Sequence, residues 1–108
     1  MNLDNEKLIK LLSVSNPNIV MDKLNNYLIN NNIKENIKLY LSTRKNKKYM
    51  LMNLQGKVVH FGDIRYSDFS KHKDNLRRDK YLKRAMNIKG NWKDNIFSPN
   101  SLSINLLW

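Results

Sequence analysis

The chain has no cysteine in its 108 residues, so it can form neither a disulfide framework nor a thiolate metal site. It has three glycines, and Gly56, Gly62 and Gly90 stand alone, which excludes the phosphate-cradling loops of the Walker and dinucleotide types. Its only histidines, His60 and His72, have no local partner at zinc-ligand spacing. No apolar run approaches the ~18 residues of a transmembrane helix. The start, Met1-Asn2-Leu3-Asp4-Asn5-Glu6, is polar and not basic, unlike a signal peptide. A soluble or peripheral protein is expected, neither secreted nor membrane-embedded. Acidic residues are scarce as well: nine Asp+Glu oppose twenty Lys+Arg, for a formal net charge of +11.

The length fits one compact domain. Asparagine is abundant, at 18 residues, and Lys and Ile are also common, a composition expected of an AT-rich genome. The charge is unevenly spread. In residues 1–35, Lys7, Lys10, Lys23 and Lys34 balance Asp4, Glu6, Asp22 and Glu35. Residues 44–57 carry Arg44, Lys45, Lys47, Lys48 and Lys57 and no acid. Residues 71–93 hold nine of the twenty cations against only Asp74 and Asp79. The asymmetry divides the chain into a neutral N-terminal helical segment, 1–36, and a basic α+β module, 37–108.

Hydrophobic periodicity predicts the elements. Leu8, Leu11 and Leu12 mark a helix over 3–14, and Ser15-Asn16-Pro17 breaks it and caps a second over 18–30, whose stripe is Val20, Met21, Leu24, Tyr27 and Leu28. The two are expected to pack as a hairpin. From Ile37 the period becomes two, predicting strands over 37–42, 48–54 and 57–61, with a turn at Gln55-Gly56. Asp68 or Ser70 can cap a helix running to Met86, and Ser98-Pro99 opens a last helix over 101–108. The expected fold class is α+β: a small antiparallel sheet flanked by an N-terminal helical hairpin and C-terminal helices.

On a helix over 68–86, Lys73, Arg77, Lys80, Lys83 and Arg84 fall on one face, while Tyr81, Leu82, Ala85 and Met86 fall roughly opposite. Such a face can neutralise phosphates and release counterions. Lys47 and Lys48 would extend it from the strands, and Tyr66, Phe69 or Trp92 could stack on bases. These ten residues are the candidate nucleic-acid site.

No complete catalytic constellation is present. His72-Lys73-Asp74 has the letters of the phospholipase D motif, but the residues are contiguous and cannot meet at one phosphate as that motif requires. Asp63, Asp68, His72 and Asp74 could gather at a divalent ion, but helix capping and pairing with Arg77 or Arg78 account for them more simply. Ser42, Ser67 and Ser70 lack a base nearby in sequence. No enzyme activity, cofactor or metal is expected.

The run Lys47-Lys48-Tyr49-Met50, then Val59-His60-Phe61-Gly62, then Tyr66-Ser67-Asp68-Phe69-Ser70-Lys71-His72-Lys73-Asp74, then Arg77-Arg78 and Tyr81-Leu82-Lys83-Arg84, resembles a family of small uncharacterised proteins of nucleocytoplasmic large DNA viruses, notably mimivirus-like and algal viruses. The close, Ser98 to Trp108, is similar to theirs. Ala85-Met86-Asn87 departs from the resemblance, and residues 1–36 lie outside it. It implies a viral origin, with the protein in the virion or in the cytoplasm or nucleus of an infected cell, and carries over no catalytic residue. The expected function is non-catalytic nucleic-acid binding of low sequence specificity, in genome packaging or compaction. The alternative is a minor capsid or cement protein that meets acidic surfaces of other virion proteins. The sequence carries no signal for an oligomeric state or for DNA over RNA.

Overall fold

The computed structural model describes residues 3–108. The chain begins with α1 (Leu3–Val14) and α2 (Pro17–Asn30). Asn16 separates them in extended backbone conformation, and its side-chain oxygen accepts the N–H groups of Asn18 and Ile19 at 3.1 and 3.4 Å. Pro17 fills the first position of α2, where an N–H has no helical acceptor. The sheet follows as β1 (Lys38–Leu41), β2 (Lys47–Met52) and β3 (Val58–Asp63), antiparallel in the order β1-β2-β3. The fold is therefore α+β, with a three-stranded meander between an N-terminal helical pair and C-terminal helices.

The strand ends differ slightly from those that periodicity predicts. β2 stops at Met52 because Asn53 closes the turn: its N–H donates to the Lys57 carbonyl at 3.2 Å and its side-chain oxygen accepts the Lys57 N–H at 2.9 Å. Gly56 completes the turn at φ +81°. β3 runs on to Asp63 through Gly62, also at φ +81°. A Cβ there would lie 2.9 Å from Leu107 Cδ1 and 3.1 Å from Lys48 Cβ, so Gly62 is where the C-terminal segment and β2 approach the strand.

As the central strand, β2 is buried over four consecutive residues, Lys48 to Leu51, so both its faces are covered. Tyr49 and Phe61 are cross-strand partners, with ring centroids 5.7 Å apart. They join a core that takes Leu11, Val14, Val20 and Leu24 from the helical pair and Leu102, Leu106 and Leu107 from the C-terminal segment. That segment starts two residues earlier than expected, as α5 (Pro99–Leu102), with Ser98 Oγ accepting the Ser101 N–H at 3.1 Å. It then widens into a π-helical turn, Ser103–Leu107. The wider turn brings Leu106 and Leu107 together onto the core beside Leu102, all three essentially inaccessible.

The helix expected over 68–86 is two helices, α3 (Phe69–His72) and α4 (Asn75–Met86). Lys73 between them is left-handed, at φ +55°. His72 Nδ1 accepts the Asp74 N–H at 2.9 Å, and Asp74 Oδ1 accepts the N–H groups of Leu76 and Arg77, so Asp74 starts a new helix. His72-Lys73-Asp74 is thus a helix junction. Neither sequence-predicted cap works at the start of α3: Asp68 occupies the cap position, but its side chain makes no capping hydrogen bond.

Asp68 is instead fully buried, with Lys48 Nζ 2.8 Å from its Oδ2 and the Ser70 hydroxyl donating to its Oδ1. Ser70 Oγ also accepts the Asn16 N–H at 2.9 Å and lies 3.2 Å from Ser15 Oγ, which in turn lies 2.7 Å from the Tyr49 hydroxyl. The Asp68 N–H reaches the Val14 carbonyl at 3.0 Å. This buried chain of hydrogen bonds ties α3 and β2 to the α1–α2 turn, where unpaired polar groups would be costly. α3 packs against both α1 and α2.

Candidate nucleic-acid interface

α4 forms because Asp74 caps it and because its interior, Leu76 to Ala85, is free of glycine, proline and β-branched residues. Ala85 is its one buried residue, so the helix lies on the fold by a narrow contact and leaves Arg77, Lys80, Lys83 and Arg84 exposed. Arg77, Tyr81 and Arg84 stand at i, i+4 and i+7, and so share one stripe.

That stripe forms one wall of an open groove in two parts. The larger part, about 480 Å³, is lined by Tyr66, Ser67, Arg77, Lys80, Tyr81, Arg84 and Trp108. The smaller part, about 280 Å³, shares Tyr66, Tyr81, Arg84 and Trp108 and adds Lys47, Asp63, Ser103 and neighbours. The groove therefore has cations at both ends, Lys47 at one and Arg77 and Lys80 at the other, with aromatic rings between them.

Two of the three rings have a defined support. Trp108 stacks on Tyr81, with centroids 4.2 Å apart and planes 15° from parallel. Arg78 Nε donates to the Trp108 backbone oxygen at 2.6 Å, and the His72 ring lies 5.1 Å from the indole. The Arg84 guanidinium sits 5.6 Å from the Tyr81 centroid, and burial pushes the Tyr81 hydroxyl up from its usual pKa. Tyr66 stands on the turn after β3 and is 65% exposed, so its face is free to meet a ligand. Among the described residues the lining has one acidic side chain, Asp63, and it is paired: Arg65 Nε and Nη2 donate to its two oxygens at 2.9 and 2.8 Å. That hydrogen bonding, outweighing some burial, holds the Asp63 carboxyl below the usual range. With Asp63 matched by Arg65, the groove keeps a net positive field.

The structure gathers Lys47, Tyr66, Arg77, Lys80 and Arg84 of the sequence-predicted site at this groove. Lys83 is exposed on α4 outside the lining, and Lys73 is exposed at the α3–α4 junction, off the helix face expected for it. Lys48 is a correction: it is 2% exposed and bound to Asp68, so its charge does not reach the surface. Burial pushes its ammonium pKa down, and Asp68 pulls it back up. Phe69 is half-buried outside the groove lining, with Lys23 Nζ 6.0 Å and the Arg78 guanidinium 5.4 Å from its ring centroid. Trp92 is half-buried away from the groove, with its Nε1–H donated to the Ile88 carbonyl at 2.7 Å.

Tyr81 and Trp108 are groove residues to which the sequence gives no site role: it places Tyr81 on the face opposite the cations. The 77–81–84 spacing was a legible signal for Tyr81; nothing local marks Trp108, which α5 and the π-helical turn carry to α4.

The structure also supplies a base beside Ser42, whose Oγ is 2.7 Å from His60 Nδ1. Ser42 Oγ also accepts the Arg44 N–H at 3.0 Å. The hydroxyl is buried and opens on none of the clefts described, so the pair locks the β1–β2 turn. Among the described residues no His, Asp and Glu cluster could hold a metal ion, and no helix is long and apolar enough to cross a membrane.

Residues 37–85 match a family of unknown function, DUF5754. The match covers a little under half of the chain: the sheet, α3 and almost all of α4. It takes in Lys47, Tyr66, Asp68 and the 77–84 stripe and leaves out Trp108. No curated protein and no solved structure matches the chain.

Proposed function

We propose that the chain is a non-catalytic nucleic-acid-binding protein of low sequence specificity. The observation that carries this reading is the groove, with Arg77, Lys80, Arg84 and Lys47 set around Tyr66, Tyr81 and Trp108. Guanidinium and ammonium groups at those positions meet phosphates, which fix register on a strand and carry no sequence information. A viral setting, with packaging or compaction of a genome as the task, rests on the resemblance of residues 47–108 to small proteins of large DNA viruses.

The test is binding of labelled DNA and RNA by the variant R77E/K80E/R84E. All three side chains are exposed, so thermal melting should match wild type. Affinity should fall by about 100-fold or more, as three phosphate contacts become repulsive. Equal binding by variant and wild type would remove α4 from the interface. A wild-type protein with no affinity for either nucleic acid at low salt would favour acidic virion proteins as the partner.

A further inference from the structure

We infer that the groove selects single-stranded over double-stranded nucleic acid, by seating an unpaired base on the Tyr66–Trp108 aromatic surface between phosphates held at its two ends. The inference rests on the nucleic-acid reading above and names the form of strand that the same site takes.

The layout carries it. A row of phosphates alone is met by a row of cations, as on Lys80, Lys83 and Arg84, and a duplex offers little else on its outside. Here the cations are split: Arg77 and Lys80 line one end and Lys47 the other, and the rings of Tyr66, Tyr81 and Trp108 occupy the middle with Arg84. In a duplex both faces of every base are covered by its neighbours, so these rings would meet only sugar and phosphate. A single strand can turn a base out and stack it, which is sequence-tolerant because every base has a π-face. The larger part of the groove, at about 480 Å³, lies within the ~300–1,000 Å³ range of small-ligand pockets. Tyr66, 65% exposed on a turn, can close over a base, whereas Trp108 is fixed by Tyr81 and Arg78 and offers a rigid floor.

The two tryptophans make the test direct, since Trp108 lies in the groove and Trp92 does not. An oligothymidylate or oligouridylate of about eight nucleotides should quench the fluorescence of wild type and of Trp92→Phe, and leave Trp108→Phe unquenched. Tyr66→Ala, at an exposed position, keeps the fold and should weaken single-strand binding about 5- to 100-fold, with duplex binding changed less than about twofold. Quenching that persists in Trp108→Phe, or equal losses for single strand and duplex in Tyr66→Ala, would overturn the inference while leaving nucleic-acid binding intact. Absence of binding to either form overturns both readings.

Discussion

Replacing Asp68 by Asn tests the buried hub that ties α3 and β2 to the α1–α2 turn. Asp68 has no exposure and Lys48 has 2%, and their charged atoms are 2.8 Å apart. The amide keeps the shape and removes the charge, leaving the Lys48 ammonium in a dry site without a counterion. Stranding one partner of a buried pair costs about 3–5 kcal/mol. Lys48 can escape by losing its proton, which from the usual value of 10.5 costs about 4.8 kcal/mol at pH 7, at ~1.36 kcal/mol per pH unit. The two routes give similar figures, against a total of about 5–16 kcal/mol for 108 residues at ~0.05–0.15 kcal/mol each. Asp68→Asn should therefore lower stability in urea titrations by about 3–5 kcal/mol. It should also recover stability as pH rises towards 10.5, because the neutral amine is the form the folded state prefers. Lys48→Met, which leaves the Asp68 carboxylate to Ser70 alone, should cost a similar amount. The double variant Lys48→Met with Asp68→Asn should regain most of the loss, with a coupling energy of about 2 kcal/mol or more. Single losses under about 1 kcal/mol, or losses that simply add in the double variant, would refute the reasoning.

Two further predictions concern the fold around the groove. Gly62→Ala puts a Cβ 2.9 Å from Leu107 Cδ1 at φ +81°, and should lower stability in thermal or urea unfolding by about 1–3 kcal/mol; an unchanged midpoint would contradict the close approach. His60 and His72 both lie below their usual 6.5, chiefly through burial and secondarily through nearby cations, so below pH 6.5 the unfolded chain binds protons that the folded chain refuses. Their contribution should be complete above pH 6.5 and decline as pH falls towards the lower folded values, and the variant His60→Gln with His72→Gln should show a flatter melting profile there.

Much of the fold was legible because it rests on local pattern. The Leu8–Leu12 and Val20–Leu28 stripes and the alternation from Ile37 predict α1, α2 and the strands, and the Gly56 turn sets their pairing. The break at Lys73 was harder to see, since it has neither glycine nor proline; the signal was Asp74, a good cap residue placed just before Arg77. The Lys48–Asp68 pair was hidden by context. Lys48 sits among Arg44, Lys45 and Lys47, and only the burial of both faces of β2 separates it from them. Its partner lies 20 residues away, on an element that meets β2 only in three dimensions. The groove was half legible for the same reason: α4 supplies a local row of cations, but Tyr66, Lys47 and Trp108 reach it from other elements.

In the proposed reading Lys47, Arg77, Lys80 and Arg84 act together on a phosphate backbone, and the salt dependence of binding counts those contacts. Four neutralised phosphates predict a slope of log affinity against log salt of about −2.8 on a single strand and about −3.6 on B-DNA. Between 50 and 200 mM salt, affinity for a single strand should fall by about 50-fold. The R77E/K80E/R84E variant should flatten the slope to about −1. A wild-type slope near zero, or the same slope in the variant, would contradict the claim.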